Sequence, residues 1–289
     1  MLNLARPGER RIAYGFWRYS AEDIDTAISM LELARASGVD HIDTADVYGE
    51  ASGFGGAERL LGAVRKRAPS VFRGAYLATK VGIEPGAPYN SSRAYLHAAV
   101  DASLARLGVE RVDLLYIHRP DLMAHPADVA ETLDGLVAAG KTAHIGLSNC
   151  TAAQVEALTR HMKTPLLVHQ IEFSAACVAP LFDGTADLAM REKCALAAWS
   201  PLAGGRIGDN AAPEFAAVAA KLDEIAQRHG VSRSAVAIAF VQQHPAGVTP
   251  ILGTKSPERF RECLKANATT LSRREWYDIV EARLGARMP

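Results

Sequence analysis

Four polar side chains with acid–base chemistry follow three successive strand-like segments of this sequence. Asp43 and Tyr48 lie in the run DTADVYG. Lys80 ends the run YLATK, and His118 ends the run VDLLYIH. Taken singly, each residue type has an ordinary structural role, as a turn cap, a half-buried aromatic, a solvated amine or a core imidazole. Their joint placement at strand ends favours a functional site instead.

Together these groups have the chemistry that polarises a carbonyl and protonates the alkoxide formed from it. Tyrosine, with a pKa of about 10, is a weak proton donor at neutral pH, and a nearby ammonium lowers that pKa by stabilising the phenolate. Because Lys80 ends an apolar strand, we expect it to be buried and to need a carboxylate partner, for which Asp43 is the candidate. His118 can donate a hydrogen bond to a substrate oxygen. None of these residues supplies hydride, so a reductase built on them needs a nicotinamide cofactor.

The strands that must position these residues recur at regular intervals along the chain. Short apolar runs rich in β-branched residues predict eight strands, several without polar alternation, as in strands covered on both faces. The predicted strands are 11–16, 39–45, 76–80, 112–118, 142–148, 166–173, 195–200 and 248–253.

Amphipathic helical patterns separate most of the predicted strands. They follow the caps Ser20, Ser92, Thr151, Ser256 and Ser272, and two more cover 129–137 and 215–226. Strands that alternate with helices in this way predict a parallel sheet. We therefore expect an α/β fold, a (β/α)₈ TIM barrel in a single domain over 1–289, with a short N-terminal extension and an extra C-terminal helix. A doubly wound open sheet is the alternative.

Composition excludes several classes of function. The 289 residues contain 32 Lys and Arg against 32 Asp and Glu, so no excess of positive charge attracts nucleic acid or anionic lipid. The first ten residues have no apolar core of a signal peptide, and the longest apolar run, 235–241, is too short to cross a membrane. The four cysteines lack the spacing of a zinc site or a disulfide framework. We expect a cytoplasmic protein with free thiols and no metal.

Two glycine patterns resemble phosphate-binding loops, and we reject both. Residues 135–142 match the Walker A pattern, but they run from the end of a predicted helix into a strand. A helix C-terminus carries the negative end of the helix dipole and repels phosphate. The run GFGGAE at 53–58 has Glu58 where the dinucleotide-binding pattern requires a third glycine. A dinucleotide would therefore bind without a Rossmann fingerprint.

The order of several motifs resembles the aldo-keto reductase superfamily over essentially the whole chain. The matching runs are GFW, DTADVYG, ATK, YIHRPD, GLSN, AWSPL and ILGTKSPER. The run WSPLAGG and the tail, with Leu284, Gly285 and Pro289, are most similar to a bacterial subgroup of predicted oxidoreductases. This resemblance implies a barrel enzyme that uses NADPH to reduce an aldehyde or a ketone.

The resemblance also implies a role for each candidate residue. Asp43, Tyr48, Lys80 and His118 would form a catalytic tetrad with Tyr48 as the general acid. Ser148, Asn149 and Gln170 would hold the nicotinamide carboxamide, and Trp199 would stack on its ring. The remaining residues implied at the cofactor site are Phe16, Trp17, Ser200, Leu202, Gly204, Arg206, Gly253, Thr254, Lys255, Ser256 and Arg259.

Charge at the final motif favours NADPH over NADH. Lys255 and Arg259 flank the predicted helix start Ser256-Pro257, where cations and backbone N–H groups suit the adenosine 2′-phosphate. The chain departs from the family here, since Gly253-Thr254 stand where a Lys-Ser pair is common and Cys263 where an adenine-contacting Asn is common. The implied partner is a small carbonyl compound, with Trp17, Phe54 and Phe173 as candidate apolar pocket walls. The alternative function is an NADPH-binding regulatory subunit of the same fold with little turnover.

Overall fold

A computed structural model describes most of the chain as two compact units. The described residues are 9–49, 53–208 and 211–289. The first unit contains the described residues of 13–170, and the second contains 9–12 and those of 171–289. The expected single domain over 1–289 stays a prediction.

Eight parallel strands follow one another in sheet order from β1 to β8 and form a closed barrel. The barrel confirms the predicted fold and excludes the open doubly wound sheet. The strands are β1 (Ala13–Gly15), β2 (His41–Asp43), β3 (Tyr76–Val81), β4 (Val112–Ile117), β5 (Thr142–Ser148), β6 (Leu166–Glu172), β7 (Ala195–Trp199) and β8 (Val248–Leu252).

Ten α-helices occur among the described residues. They are α1 (Ile24–Ala36), α2 (Gly56–Arg67), α3 (Arg93–Leu107), α4 (Pro126–Ala138), α5 (Ala152–Thr159), α6 (Thr185–Glu192), α7 (Ala216–His229), α8 (Arg233–Gln242), α9 (Pro257–Leu264) and α10 (Arg273–Leu284). The last of these is the predicted extra C-terminal helix. None of the helices in the described ranges combines the length and the apolar character that crossing a membrane requires.

In the first unit, close packing between neighbouring strands fixes the register. Tyr116 pairs with Gly146, which pairs with Val168, so these three residues align on β4, β5 and β6. A Cβ atom at Gly146 would lie 2.5 Å from the Tyr116 ring. The glycine therefore makes room for the buried tyrosine, and it lies at the point where the β5–β6 register shifts, between Ile145 and Gly146.

The second unit has an aromatic core under its C-terminal helix. The Trp276 ring of α10 stacks on Phe240 of α8 at 4.9 Å, and its Nε1 donates to the Phe240 carbonyl. Phe173 lies 5.7 Å from Phe240 and is 1% exposed. This packing holds α10 against α8 within the unit.

The structure differs from the sequence expectation at the start of α1 and at α2, which was not predicted. Helix α1 starts at Ile24 rather than directly after Ser20, because residues 20–23 form a turn in which the Asp23 N–H donates to the Ser20 carbonyl. The glycine run at 53–58 lies in the β2–α2 connection, and α2 begins inside it at Gly56. The helix-to-strand order on which the rejection of a Walker A loop depends is confirmed, because α4 ends at Ala138 and β5 starts at Thr142.

Candidate active site

The turn after β2 is hydrogen-bonded to β3, and this brings three predicted site residues together. The Thr44 N–H donates to the Ala78 carbonyl, and the Asp46 N–H donates to the Lys80 carbonyl, each at 3.0 Å. The Tyr48 carbonyl accepts from the N–H of Ala57 at the start of α2. Strand pairing and the following turn therefore set the positions of Asp43, Lys80 and Tyr48.

Lys80 is completely buried and forms an ion pair with Asp43. Its Nζ lies 2.6 Å from Asp43 Oδ1 and donates a second hydrogen bond, of 2.9 Å, to the Thr44 carbonyl. The Gln170 Nε2 donates to the other oxygen, Asp43 Oδ2, at 2.9 Å. Both charges of the pair are thus matched and hydrogen-bonded, which a buried ion pair requires.

The Tyr48 ring lies between Lys80 and His118. The Lys80 Nζ is 4.8 Å from the centroid of the Tyr48 ring. The centroids of the Tyr48 and His118 rings are 5.6 Å apart, with the ring planes at 80°. The structure thus brings together all four residues of the predicted tetrad within the first unit.

Lys80 and Tyr48 influence each other's protonation. Burial alone would lower the pKa of Lys80, but the Asp43 carboxylate and the Tyr48 hydroxyl outweigh it, so this pKa lies above its ordinary value. Burial raises the pKa of Tyr48 by more than the Lys80 ammonium lowers it. The ammonium was expected to make the phenol more acidic. It acts in that direction, but desolvation is the larger effect.

The His118 ring is neutral in this environment. Burial, the Lys80 ammonium and the Arg119 guanidinium together hold the pKa of His118 well below its ordinary value. The backbone N–H of His118 donates to the Val81 carbonyl at 2.8 Å, and the backbone carbonyl of His118 accepts from Asn149 Nδ2 at 3.1 Å. A neutral imidazole on a fixed backbone donates one hydrogen bond and is a poor acid.

The residues predicted to hold the carboxamide lie at the ends of β5 and β6. Ser148 pairs with Gln170 in the sheet, and the Asn149 N–H donates to the Gln170 carbonyl at 3.0 Å. Asn149 has a φ of 58°, a left-handed conformation that Asn tolerates better than most residues. Because a carboxylate only accepts, the Gln170 amide nitrogen faces Asp43. Its oxygen is therefore the acceptor left for a ligand.

The aromatic residues predicted near the site have different exposures. Phe16 is fully buried, 4.6 Å from the Tyr19 ring, so this residue presents no exposed surface to a cofactor. Trp17 is 58% exposed, with the Arg18 guanidinium 5.0 Å from its ring, and Phe54 is 36% exposed. Phe173 is wrong as a pocket wall, because it is buried in the aromatic core of the second unit.

In the second unit, the predicted pyrophosphate loop turns sharply after β7. Ser200 and Ala203 have φ values of 48° and 51°, and Gly204 follows at 70°. The Arg206 Nε donates back to the Ala203 carbonyl at 3.1 Å. Of the sequence-predicted residues, Trp199, Ser200 and Leu202 are half-buried, and Gly204 and Arg206 are exposed.

The predicted 2′-phosphate site lies between β8 and α9 of the second unit. Ser256 caps α9, since its hydroxyl accepts from the Arg259 N–H at 3.3 Å, and Pro257 is the first helical residue. Arg259 is exposed, whereas Cys263 is buried in the same helix. The other predicted residues, Gly253, Thr254, Lys255 and Ser256, are half-buried. Accessible cations at a helix start suit an anionic ligand.

Two charged residues near the tetrad were not singled out from the sequence. Asp46 is fully buried in the turn between Asp43 and Tyr48, and Arg119 acts on the pKa of both Tyr48 and His118. The second aspartate of DTADVYG and the arginine of YIHRPD were available signals, because each lies within two residues of a tetrad member.

Two curated reductases are similar to nearly the whole chain. A 6-dehydroglucose reductase of Novosphingobium aromaticivorans is 41% identical over 96% of this chain and 93% of its own. A second one, of Agrobacterium fabrum, is 33% identical over 95% of this chain and 94% of its own.

Solved structures share the fold. A thermostable aldo-keto reductase, solved with the inhibitor epalrestat, superposes with a TM-score of 0.81 at 24% identity, covering 98% of this chain and all of the other. At that identity the likeness shows the fold alone. The model of the aldo/keto reductase family matches residues 11–283. The chain therefore belongs to the aldo/keto reductase family of oxidoreductases.

Proposed function

We propose that this chain is an NADPH-dependent reductase that converts the carbonyl of an aldehyde or a ketone into an alcohol. One observation carries the proposal, namely the buried Lys80–Asp43 ion pair whose ammonium lies 4.8 Å from the Tyr48 ring. A phenol beside a fixed cation can give up its proton to a forming alkoxide and be stabilised afterwards as a phenolate.

Each residue of the tetrad has a separate task in this proposal. Tyr48 donates its proton to the carbonyl oxygen as the general acid. Lys80 stabilises the phenolate that remains, and Asp43 keeps the ammonium charged and oriented. His118, being neutral, donates a hydrogen bond that positions the carbonyl oxygen, so proton donation is left to Tyr48.

The donor set of the chain suits a nicotinamide coenzyme. The bound coenzyme supplies the hydride. Ser148, Asn149 and the oxygen of Gln170 would hold the carboxamide, and the exposed turn at Gly204 would approach the pyrophosphate. Lys255 and Arg259 would hold the 2′-phosphate, which supports a preference for NADPH. The described residues contain no cluster of three or more His, Cys, Asp or Glu that could hold a metal ion. The cytoplasmic location stays a prediction.

The relatives support a sugar aldehyde as the substrate. Two proteins that match nearly the whole chain are 6-dehydroglucose reductases. A hexose with a carbonyl at carbon 6 presents a small reacting group and several hydroxyls, and the exposed Trp17 ring suits the apolar face of a sugar. We therefore propose 6-dehydroglucose as the first compound to test.

The test is oxidation of NADPH in the presence of 6-dehydroglucose and a panel of simple aldehydes and ketones. We expect turnover with at least one of them, and a higher kcat/KM for the sugar aldehyde than for an unsubstituted aldehyde. Tight binding of NADPH with no oxidation by any compound would favour the regulatory subunit instead.

A further inference from the structure

A buried cluster of charged side chains next to the tetrad contains more acidic than basic groups. Asp46 and Glu58 are both 0% exposed, and Arg106 of α3 is the cation that pairs with Glu58 and acts electrostatically on Asp46. Lys80 of β3 also acts on Asp46 electrostatically, but its ammonium is paired with Asp43 at 2.6 Å. An unmatched charge in such a place is strongly disfavoured, so one acid has to carry a proton.

Glu58 has partners for both of its carboxylate oxygens. Oε1 accepts from the Thr79 hydroxyl at 2.5 Å, and Oε2 accepts from Arg106 Nε at 2.7 Å. The oxygens of Asp46, by contrast, receive no hydrogen bond of normal geometry from any described residue, although the Val47 amide lies close enough to act on the carboxylate. Because Glu58 takes the cation and the hydroxyl, Asp46 is the acid left to be neutral.

Burial and the nearby Glu58 carboxylate raise the pKa of Asp46 to about 8, against the opposing effect of Arg106. Burial and the Asp46 charge also raise the pKa of Tyr95 of α3, whose hydroxyl donates to the Ile83 carbonyl. The groups around Asp46 are therefore Glu58 from α2, Arg106 and Tyr95 from α3, and Lys80 from β3.

The backbone of Asp46 connects this cluster to the tetrad. Its N–H donates to the Lys80 carbonyl, while the Lys80 ammonium donates to the Thr44 carbonyl two residues earlier. We propose that Asp46 is a positioning residue whose neutral carboxylic acid keeps the Tyr48-bearing turn against β3, and whose ionisation under alkaline conditions releases that turn. The kinetic consequence rests on the proposed function, but the protonation of Asp46 does not.

The test compares the wild type with Asp46→Asn, an uncharged side chain of the same shape. A carboxyl whose pKa is raised on folding keeps its proton in the folded state after losing it in the unfolded state. Its contribution to stability therefore falls as the pH rises from about 4 to about 8 and then levels off. We expect the melting temperature of the wild type to fall over this interval relative to that of Asp46→Asn. Parallel melting curves would overturn the proposal.

Asp134→Asn is the matched control, because the pKa of Asp134 is lowered by hydrogen bonds from Lys163 and Thr164. The difference in melting temperature between Asp134→Asn and the wild type should change only at acidic pH. The infrared band of a protonated carboxylic acid should be present in the wild type at pH 7 and absent in Asp46→Asn.

If Asp46→Asn does not fold, Glu58→Gln replaces it in the comparison with the wild type. In Glu58→Gln the fall in melting temperature should end at a lower pH than in the wild type, because Arg106 then becomes available to Asp46. A fall that ends at the same pH in Glu58→Gln would overturn the proposal.

The positioning role is tested by the pH dependence of kcat. Above pH 8 we expect the kcat of the wild type, normalised to its own value at pH 6.5, to fall, and that of Asp46→Asn to stay high to a pH at least one unit higher. An identical alkaline fall in both proteins would overturn the positioning role, since Tyr48 alone would then set it. The protein could lack reductase activity while the difference in melting temperature between the wild type and Asp46→Asn still changes with pH. That result would reject the proposed function but support the inferred protonation of Asp46.

Discussion

The amide of Gln170 donates to the Asp43 oxygen that Lys80 leaves unpaired, at 2.9 Å. This hydrogen bond joins β6 to β2, so one carboxylate is held by the ends of three strands. Both residues are almost fully buried, at 1% and 2% exposure, so water does not readily replace either partner. The orientation of the Lys80 ammonium therefore depends on a residue from a distant part of the sequence.

Gln170→Leu should lower kcat as well as stability. The substitution leaves one buried oxygen of Asp43 without a donor, which costs about 1–3 kcal/mol of unfolding free energy. Gln243→Leu is the control, because Gln243 makes two hydrogen bonds to the Leu271 backbone in the second unit. Urea unfolding should show a loss in both variants, and steady-state rates a loss of kcat only in Gln170→Leu. An unchanged kcat in that variant would remove Gln170 from the site.

Tyr48→Phe should nearly abolish carbonyl reduction while NADPH still binds. Removing a general acid lowers the rate by about 10²–10⁴-fold, and the phenyl ring keeps its packing against His118. Quenching of tryptophan fluorescence by NADPH should give a dissociation constant close to that of the wild type. Full turnover in this variant would refute the role of Tyr48.

Lys80→Met and Lys141→Met should differ in their effect on stability. Both ammonium groups lie 2.6 Å from an aspartate oxygen, but the Lys80–Asp43 side chains are 0% and 3% exposed and those of Lys141–Asp101 are 37% and 58% exposed. Losing the buried cation leaves the Asp43 carboxylate without its partner, which costs about 3–5 kcal/mol of unfolding free energy. Losing the exposed one costs about 0–1 kcal/mol. Equal unfolding free energies for the two variants would show that burial does not decide the difference.

Arg259→Gln should weaken the binding of NADPH far more than that of NADH. The loss of a hydrogen bond from a cation to the 2′-phosphate raises the dissociation constant roughly tenfold or more. Arg261→Gln, two residues along the same exposed helix, is the matched control and should change neither constant. Fluorescence titrations measure both coenzymes. Equal weakening of NADPH and NADH would mean that Arg259 does not contact the phosphate.

All eight strands were predictable because apolar runs with β-branched residues have few other uses in such a chain. The run at 142–148 matches β5 residue for residue, and the others differ by a few residues at their ends. Three helices were not predicted. Helix α2 begins inside a glycine run that indicates a loop, and α6 starts after Gly184, without a side-chain cap. Helix α8 is apolar on nearly every face, so it shows no amphipathic stripe.

The tetrad was predictable because its members follow strand ends in order, and parallel strands bring those ends together. The state of Tyr48 was not, since the balance between burial and the Lys80 charge depends on how completely the surrounding atoms exclude water. The burial of Phe173 was not predictable either, since an apolar ring suits the wall of a pocket and a core equally well.

The residues proposed to move protons all occur between positions 43 and 118, whereas those proposed to select the coenzyme phosphate lie between 253 and 259. Codons for the two tasks are therefore far apart in the gene. Laboratory evolution towards NADH can diversify the later stretch freely, with the codons for proton chemistry held constant.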